Sequence, residues 1–224
     1  MSLYLRKDER KRLVLASSSP RRLCLIKAID PVVEVVPSNT EEEIGNLHDL
    51  PEVLVVKISS AKAREASNQL RDAIVLGADT LVSLEGKVFG KPNTIDDAIR
   101  MLKMLRGRTH SVFTGITVRD SESGRQLETF KSSEVVMRKY SDMEIENYIM
   151  SGKPFDRAGG YGIQDEAFSP VDSVKGCHLN VLGLPVCEVV GLFKRFGVDA
   201  RIRPEWSPHL RCSCRRINVQ VVSP

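Results

Sequence analysis

Several short segments of this chain hold residues whose types and spacing suit them to phosphate. Ser17-Ser18-Ser19-Pro20-Arg21-Arg22 places hydroxyls and a pair of guanidiniums after an apolar run. At a strand-to-helix turn such a segment can cradle phosphate oxygens, because a helix start offers unpaired N–H donors and arginine a two-pronged fork. It also reads as a plain capped helix with surface arginines. Thr40-Glu41-Glu42-Glu43 supplies three carboxylates, and Gly77-Ala78-Asp79-Thr80 supplies one more directly after an apolar stretch. Hard divalent cations such as magnesium take one or two such oxygens together with substrate phosphates. For the acidic run alone, a solvated loop is the simpler reading. Asp79 is more informative, because a carboxylate at the end of an apolar strand is costly to half-bury without a metal, a lysine or water beside it. Lys62 and Lys91 could neutralise phosphate charge, although for each alone a surface lysine is the simpler reading. Ala158-Gly159-Gly160-Tyr161-Gly162-Ile163-Gln164 lets backbone approach a planar ligand and gives Gln164 a donor and an acceptor for a base edge. A tight turn beside a helix accounts for that stretch equally well.

The elements that must position these groups follow from local patterning. Leu13 to Ala16 reads as a buried strand ending at Ser17, with a helix continuing through Leu23, Leu25 and Ile26. Val32 to Val36 is a β-branched stretch, and Asp49-Leu50-Pro51-Glu52 opens a long amphipathic helix running through Leu54, Ile58, Ala61 and Ala66. Ala73 to Ala78 reads as a central strand, which puts Asp79 at its end. Leu81 to Leu84 and Val88 to Phe89 pair across Glu85-Gly86, and Thr94 caps a helix to Leu105. Ser111 to Val118 and Thr129 to Met137 are long strands joined around Ser123-Gly124, and Ser141 with Glu144 forms a capping box for a helix to Met150. A last strand is expected near Val174 to Leu182 and a last helix from Pro185 to Phe196. Alternating strands and helices interrupted by hairpins imply an α/β fold with a mixed sheet.

Composition narrows the function classes. The 224 residues are 42% hydrophobic and 28% charged, enough for one core, and no apolar run approaches the roughly 18 residues of a membrane span. The basic N-terminus lacks the long apolar core of a signal peptide. The five cysteines, Cys24, Cys177, Cys187, Cys212 and Cys214, are scattered without zinc-ligand spacing, which fits a reducing, cytoplasmic setting. The net charge of +4 is carried by residues 201–224, with five Arg and one Glu. This confinement argues against a nucleic-acid role, and divides the chain into a domain at 1–198 and a basic, poorly ordered tail at 199–224.

Taken in order, these pieces resemble the Maf family of nucleotide pyrophosphatases over roughly Leu13 to Phe196. They are Leu15-Ala16-Ser17-Ser18-Ser19-Pro20-Arg21-Arg22, Gly77-Ala78-Asp79-Thr80, Gly90-Lys91-Pro92, Gly107-Arg108-Thr109-His110 leading into Thr114-Gly115, Asp156 through Gln164, and Asn180-Val181-Leu182-Gly183-Leu184-Pro185. The resemblance implies an elongated mixed β-sheet flanked by helices, with two lobes around a cleft, similar to inosine triphosphate pyrophosphatases and commonly a homodimer. It implies hydrolysis of a nucleoside triphosphate to the monophosphate and pyrophosphate with magnesium or manganese. Asp79 then matches the proton acceptor and metal-associated aspartate, and Glu42, with Glu41 as the near alternative, the second metal-site carboxylate. Lys62 and Lys91 match phosphate-facing lysines, while Ser17 and Arg22 match the phosphate loop. Arg21, Thr80 and Gln164 match the dTTP/UTP branch rather than the branch acting on 7-methylguanosine triphosphate, which stands as the alternative substrate. A non-catalytic nucleotide-binding protein is the alternative of another class.

The chain departs from the family pattern in two places that bear on the site. Arg157 stands where the family usually has lysine, and Asp165 where it usually has glycine, so Asp165 adds a negative charge beside the amide proposed to read the base. The following segment, Glu166 to Asp172, also leaves the expected glycine-rich pattern.

Overall fold

The computed structural model describes residues 11–38, 40 and 49–206. In chain order it comprises β1 (Arg12–Leu15), α1 (Pro20–Ile26), β2 (Glu34–Val35), α2 (Pro51–Ser67), β3 (Ala73–Leu84), β4 (Lys87–Phe89), α3 (Ile95–Leu105), β5 (Thr109–Asp120), β6 (Gln126–Met137), α4 (Asp142–Met150), β7 (Val171–Gly176), α5 (His178–Val181) and α6 (Val186–Phe196). Short 3₁₀ turns lie at Lys153–Asp156, Ala158–Gly160 and Pro204–Trp206. The capping signals act as expected. Thr94 accepts from the Asp97 N–H, and Ser141 and Glu144 form a reciprocal capping box. Glu85 and Gly86 both take positive φ, 51° and 80°, the turn that matches the twist of a two-residue hairpin.

The strands form one seven-stranded mixed sheet in the order β2-β1-β3-β5-β6-β7, with β4 attached to β3. β1 pairs in parallel with β2 and β3, and the remaining pairs are antiparallel. Side chains alternate between faces along a strand, so Ile74, Leu76, Ala78, Val82 and Leu84 of β3 share one face. That face carries two apolar clusters. One joins Ile74, Leu76 and Ala78 to α1 and α6, with Phe193 at its centre, and the other joins Val82 and Leu84 to α3, α4, Tyr140, Tyr161 and Phe168. Thr80 and Thr114 occupy the interval between them. Two lobes thus share one ribbon, and the cleft lies where the apolar surface is interrupted. The opposite face is covered by α2, through Ala63 and Ala66 over Val75 and through Val55 and Ile58 beside Leu81.

Local reading fails at two places. β3 does not stop before Asp79 but runs to Leu84, because β5 pairs with it continuously from Ile74 to Ser83. The last strand ends at Gly176, and His178–Val181 is a short helix in place of the expected strand. Asn180 makes the difference: it is fully buried and its amide donates to Val112 O at 2.9 Å and Ser133 Oγ at 3.1 Å, tying the turn down onto the sheet. Beyond α6, Val198 and Ala200 are buried in the first cluster and Arg203 N donates to Ala28 O at 2.8 Å, so the chain stays docked to Trp206. Among the described residues no helix is long and apolar enough to cross a membrane.

Candidate active site

β5 occupies one edge of β3 from Ile74 to Ser83, so β1 and β4 must share the other. β1 covers Ala73 to Leu76 and β4 covers Val82 to Leu84, leaving residues 77–81 between them. Since β1 runs parallel to β3 and β4 antiparallel, both strands end facing this gap. Each delivers its following loop into it: Ser17 to Arg22 from one side, Gly90 and Lys91 from the other. Asp79 and Thr80 lie in the middle of the gap.

Asp79 points to the α2 face, where the helix approaches unusually closely. A Cβ on Gly77 would lie 2.2 Å from Ser59 O, and one on Gly115 would lie 2.1 Å from Val55 O. Only hydrogen side chains at these two strand positions let the helix backbone settle on the sheet. That approach brings Lys62 Nζ to 2.5 Å from Asp79 Oδ1, with the side chains 13% and 6% exposed. A buried carboxylate is costly unless paired, and removing one partner of such a pair typically costs about 3–5 kcal/mol. Lys62 therefore both stabilises Asp79 and orients it.

Thr80 points to the other face, between the lobes. Its hydroxyl is 3.0 Å from Thr114 Oγ1 and accepts from Arg22 Nη2 at 3.0 Å. Arg22 also donates through Nε to Gly183 O at 2.9 Å and through Nη1 to Ser17 Oγ at 3.2 Å. Ser19 caps α1 by accepting from Arg22 N, so Ser17, Arg22 and the helix start converge at one strand-to-helix turn. Arg21 turns elsewhere. Its Nη1 donates to Asp156 Oδ2 and its Nη2 to Asp156 O, each at 2.9 Å, linking α1 to the second lobe across the cleft mouth.

A cleft of about 400 Å³ occupies this gap, and its lining includes Ser17, Arg21, Arg22, Lys62, Asp79, Thr80, Lys91 and Gln164. The volume falls within the roughly 300–1,000 Å³ usual for small-molecule sites. The expected metal carboxylate Glu42, and Glu41 beside it, lie outside the described residues. Ser38, Thr40 and Tyr161 also line the cleft and were not singled out from sequence as site residues. Glu65 is another residue that sequence reasoning missed. It accepts from Thr40 N at 2.7 Å and from the hydroxyls of Ser38 and Thr40, anchoring the chain that leads to the acidic run. The available signal was its spacing: Lys62 and Glu65 stand three apart on α2 and so share one helix face.

The second lobe presents Tyr161 and Gln164. Tyr161 is buried with its hydroxyl 2.6 Å from His110 Nε2, and burial pushes the His110 imidazole down to about 4 from its ordinary 6.5. Gln164 is exposed on the wall. Its neighbour Asp165 does not add an open negative charge there, for the carboxylate turns inward. Lys153 Nζ lies 2.9 Å and Arg157 Nη1 3.7 Å from Asp165 Oδ2. Burial opposes ionisation of Asp165, but the Lys153 hydrogen bond, the Phe168 amide and the two cations outweigh it and hold the carboxyl below its usual range.

The arrangement places an oriented carboxylate, hydroxyls and cations on the floor, and a hydrogen-bonding amide on the wall. Such a cleft can hold a polyanion at one end, a planar group at the other, and a proton acceptor between them. Comparisons with known proteins agree in extent. A family model described as Maf-like protein matches residues 12–196. Proteins named dTTP/UTP pyrophosphatase are 43% identical over 189 residues in Dictyoglomus turgidum, covering 84% of this chain and 97% of that protein. The corresponding figures in Moorella thermoacetica are 42% over 188 residues, 84% and 96%. In Caldicellulosiruptor bescii they are 40% over 193 residues, 84% and 96%. Among solved structures, a HAM1 protein from Coxiella burnetii matches with a TM-score of 0.41 and 19% identity, covering 58% of this chain and 74% of that one.

Proposed function

This chain belongs to the Maf family, and we propose that it hydrolyses dTTP and UTP to the nucleoside monophosphate and pyrophosphate with the help of magnesium or manganese. As a member it is a nucleoside triphosphate pyrophosphatase, a hydrolase acting on a phosphoric anhydride. One observation carries the finer reading: among the described residues, the gap in the β3 edge holds Asp79, paired with Lys62, in a cleft that the phosphate-type loop and Gln164 also line.

In this reading the triphosphate lies against Ser17, Arg22 and Lys91, whose charge and hydroxyls offset the phosphate oxygens. Asp79, oriented by Lys62, takes the proton of a water that attacks the α-phosphorus. The new bond is from the water oxygen to that phosphorus, and the bond broken is from the phosphorus to the bridging oxygen, which leaves with pyrophosphate. Lys62 and the guanidinium of Arg22 hold their positions throughout, so little reorganisation accompanies the change in charge. Among the described residues the cleft lining carries carboxylates and hydroxyls but no thiol or imidazole, a hard-oxygen set that fits a magnesium-class ion shared with substrate phosphates. Asp79 and Glu42 would hold it. Such an ion, when bound, polarises the phosphoryl oxygens and acidifies a coordinated water. The pyrimidine preference is supported by Gln164, whose amide can meet the carbonyl and N–H edge of uracil or thymine with one donor and one acceptor.

The test is pyrophosphate release from dTTP, UTP, CTP, 7-methylguanosine triphosphate and inosine triphosphate, with each metal and with chelator. Turnover of dTTP and UTP that needs the metal is the expected result. Turnover confined to 7-methylguanosine triphosphate would overturn the base assignment but keep the chemistry, and metal-independent turnover would remove the cation from the mechanism.

A further inference from the structure

Gln164 is exposed, yet Gly162 and Asp165, which flank it in the loop, both meet a single guanidinium. A Cβ on Gly162 would fall 1.7 Å from Arg157 Nη1, so the backbone before Gln164 rests directly on that group. After Gln164, the Asp165 carboxylate faces the same nitrogen at 3.7 Å and Lys153 at 2.9 Å. Arg157 Nη1 in turn donates to Tyr148 Oη at 2.9 Å, and its side chain is only 12% exposed. Asp165 also organises the chain beyond it. Its Oδ1 accepts from Phe168 N at 3.1 Å, its carbonyl accepts from Ser169 N at 2.7 Å, and its own N–H donates to Gly162 O at 3.1 Å. Phe168 then stacks on Tyr148, with centroids 4.3 Å apart and planes at 17°.

A carboxylate with a side chain only 2% exposed is an expensive way to build a loop, and here its pairing fixes a geometry. The geometry here is the short span from Gly162 to Asp165, which carries Gln164 between its two tethers. We infer that Asp165, acting through Arg157 and Lys153, is the positioning residue that holds Gln164 at the cleft wall and so sets the preference among bases rather than the rate of the phosphoryl step. The inference rests on the reading of Gln164 as the base-contacting group. Asp165 touches neither the phosphate loop nor Asp79, so its loss leaves the floor of the cleft in place.

The experiment is steady-state kinetics of the full-length protein with dTTP, UTP and CTP, alongside thermal melts, for Asp165→Asn, Lys153→Met, Gln164→Ala and the double variant Asp165→Asn/Gln164→Ala. Asp165→Asn is expected to raise KM for dTTP and UTP about tenfold with kcat within about threefold, and to narrow their advantage over CTP. Lys153→Met, at a half-exposed position, should move the same quantities less and serves if the buried substitution fails to fold. In the Gln164→Ala background, Asp165→Asn should add no further loss of preference, because its effect passes through the amide. A lower melting temperature with unchanged KM and base preference in both Asp165→Asn and Lys153→Met would make the cluster purely structural and overturn the proposal. Loss of preference in Gln164→Ala without any in those two variants overturns the positioning role while sparing the base-reading role. No change of preference in Gln164→Ala removes the base-reading role, and the positioning role with it.

Discussion

On the floor of the cleft Asp79 is carried by a strand whose ladder with β5 runs from Ile74 to Ser83, whereas on the wall Gln164 is carried by a loop that Arg157, Asp165 and Lys153 tie down. The floor is thus located by backbone hydrogen bonds and by a helix resting on glycine, and it can shift only if the sheet shifts. The wall is located by a few loop hydrogen bonds and chiefly by side-chain contacts, which individual substitutions can retune. In the proposed reading this division separates a chemical step common to all nucleotides from a preference among bases. It also separates two kinds of failure, one in turnover and one in discrimination.

The sharpest way to break the comparison is at Asp79. Asp79→Asn removes the proposed proton acceptor at nearly constant size, and turnover should fall about 10²- to 10⁴-fold while the fold, followed by circular dichroism, persists with a lower melting temperature because Lys62 loses its charged partner. A variant retaining wild-type pyrophosphate release would move the acceptor off the floor. Next comes Gly77→Ala, whose methyl would meet the Ser59 carbonyl of α2 at 2.2 Å. Because that atom is backbone, the helix must move, with an expected loss of about 1–3 kcal/mol or more and a fall in melting temperature of about 2–4 °C for each of those. Activity should drop with it, since Lys62 rides on the same helix. An unaltered melt would show that α2 is not locked to the strand.

The wall has its own pH signature through His110. In the folded protein its imidazole stays neutral down to about 4, whereas in the unfolded chain it takes up a proton below 6.5. The unfolded state therefore binds more protons in that window, so this contribution is intact above pH 6.5 and is lost as pH falls toward 4, by at most roughly 1.4 kcal/mol per pH unit. Urea unfolding at pH 7 and pH 5 should show a shallower loss in His110→Gln than in the native chain; parallel losses would assign the acid sensitivity to other groups. Gly162→Ala gives the smallest expected effect. Its methyl would collide with the end of the Arg157 side chain rather than with backbone, so a rise in KM of a few-fold and a stability loss of about 1 kcal/mol are expected. A kcat defect comparable to that of Gly77→Ala would erase the distinction between floor and wall.

Wherever a feature depends on neighbours in the chain, the sequence alone determined it. Ser19, Thr94 and Ser141 cap helices and Glu85-Gly86 turns a hairpin, all through contacts within a few residues, and the apolar run from Ala73 to Ala78 marks a strand although not its end. The types of the site residues were legible for the same reason, since hydroxyl, guanidinium and carboxylate carry their chemistry wherever they sit. Tertiary structure alone decided which of them meet. The strand gap around Asp79 exists because β1 and β4 share one edge of β3, and their registers come from segments far apart in sequence. Long-range contacts likewise decided that Arg21 engages Asp156, that Glu65 anchors Ser38 and Thr40, and that the charge of Asp165 is spent inside the protein. A side chain's charge is a property of its residue, but its direction is set by backbone register and by what else needs a partner in a region where water is absent.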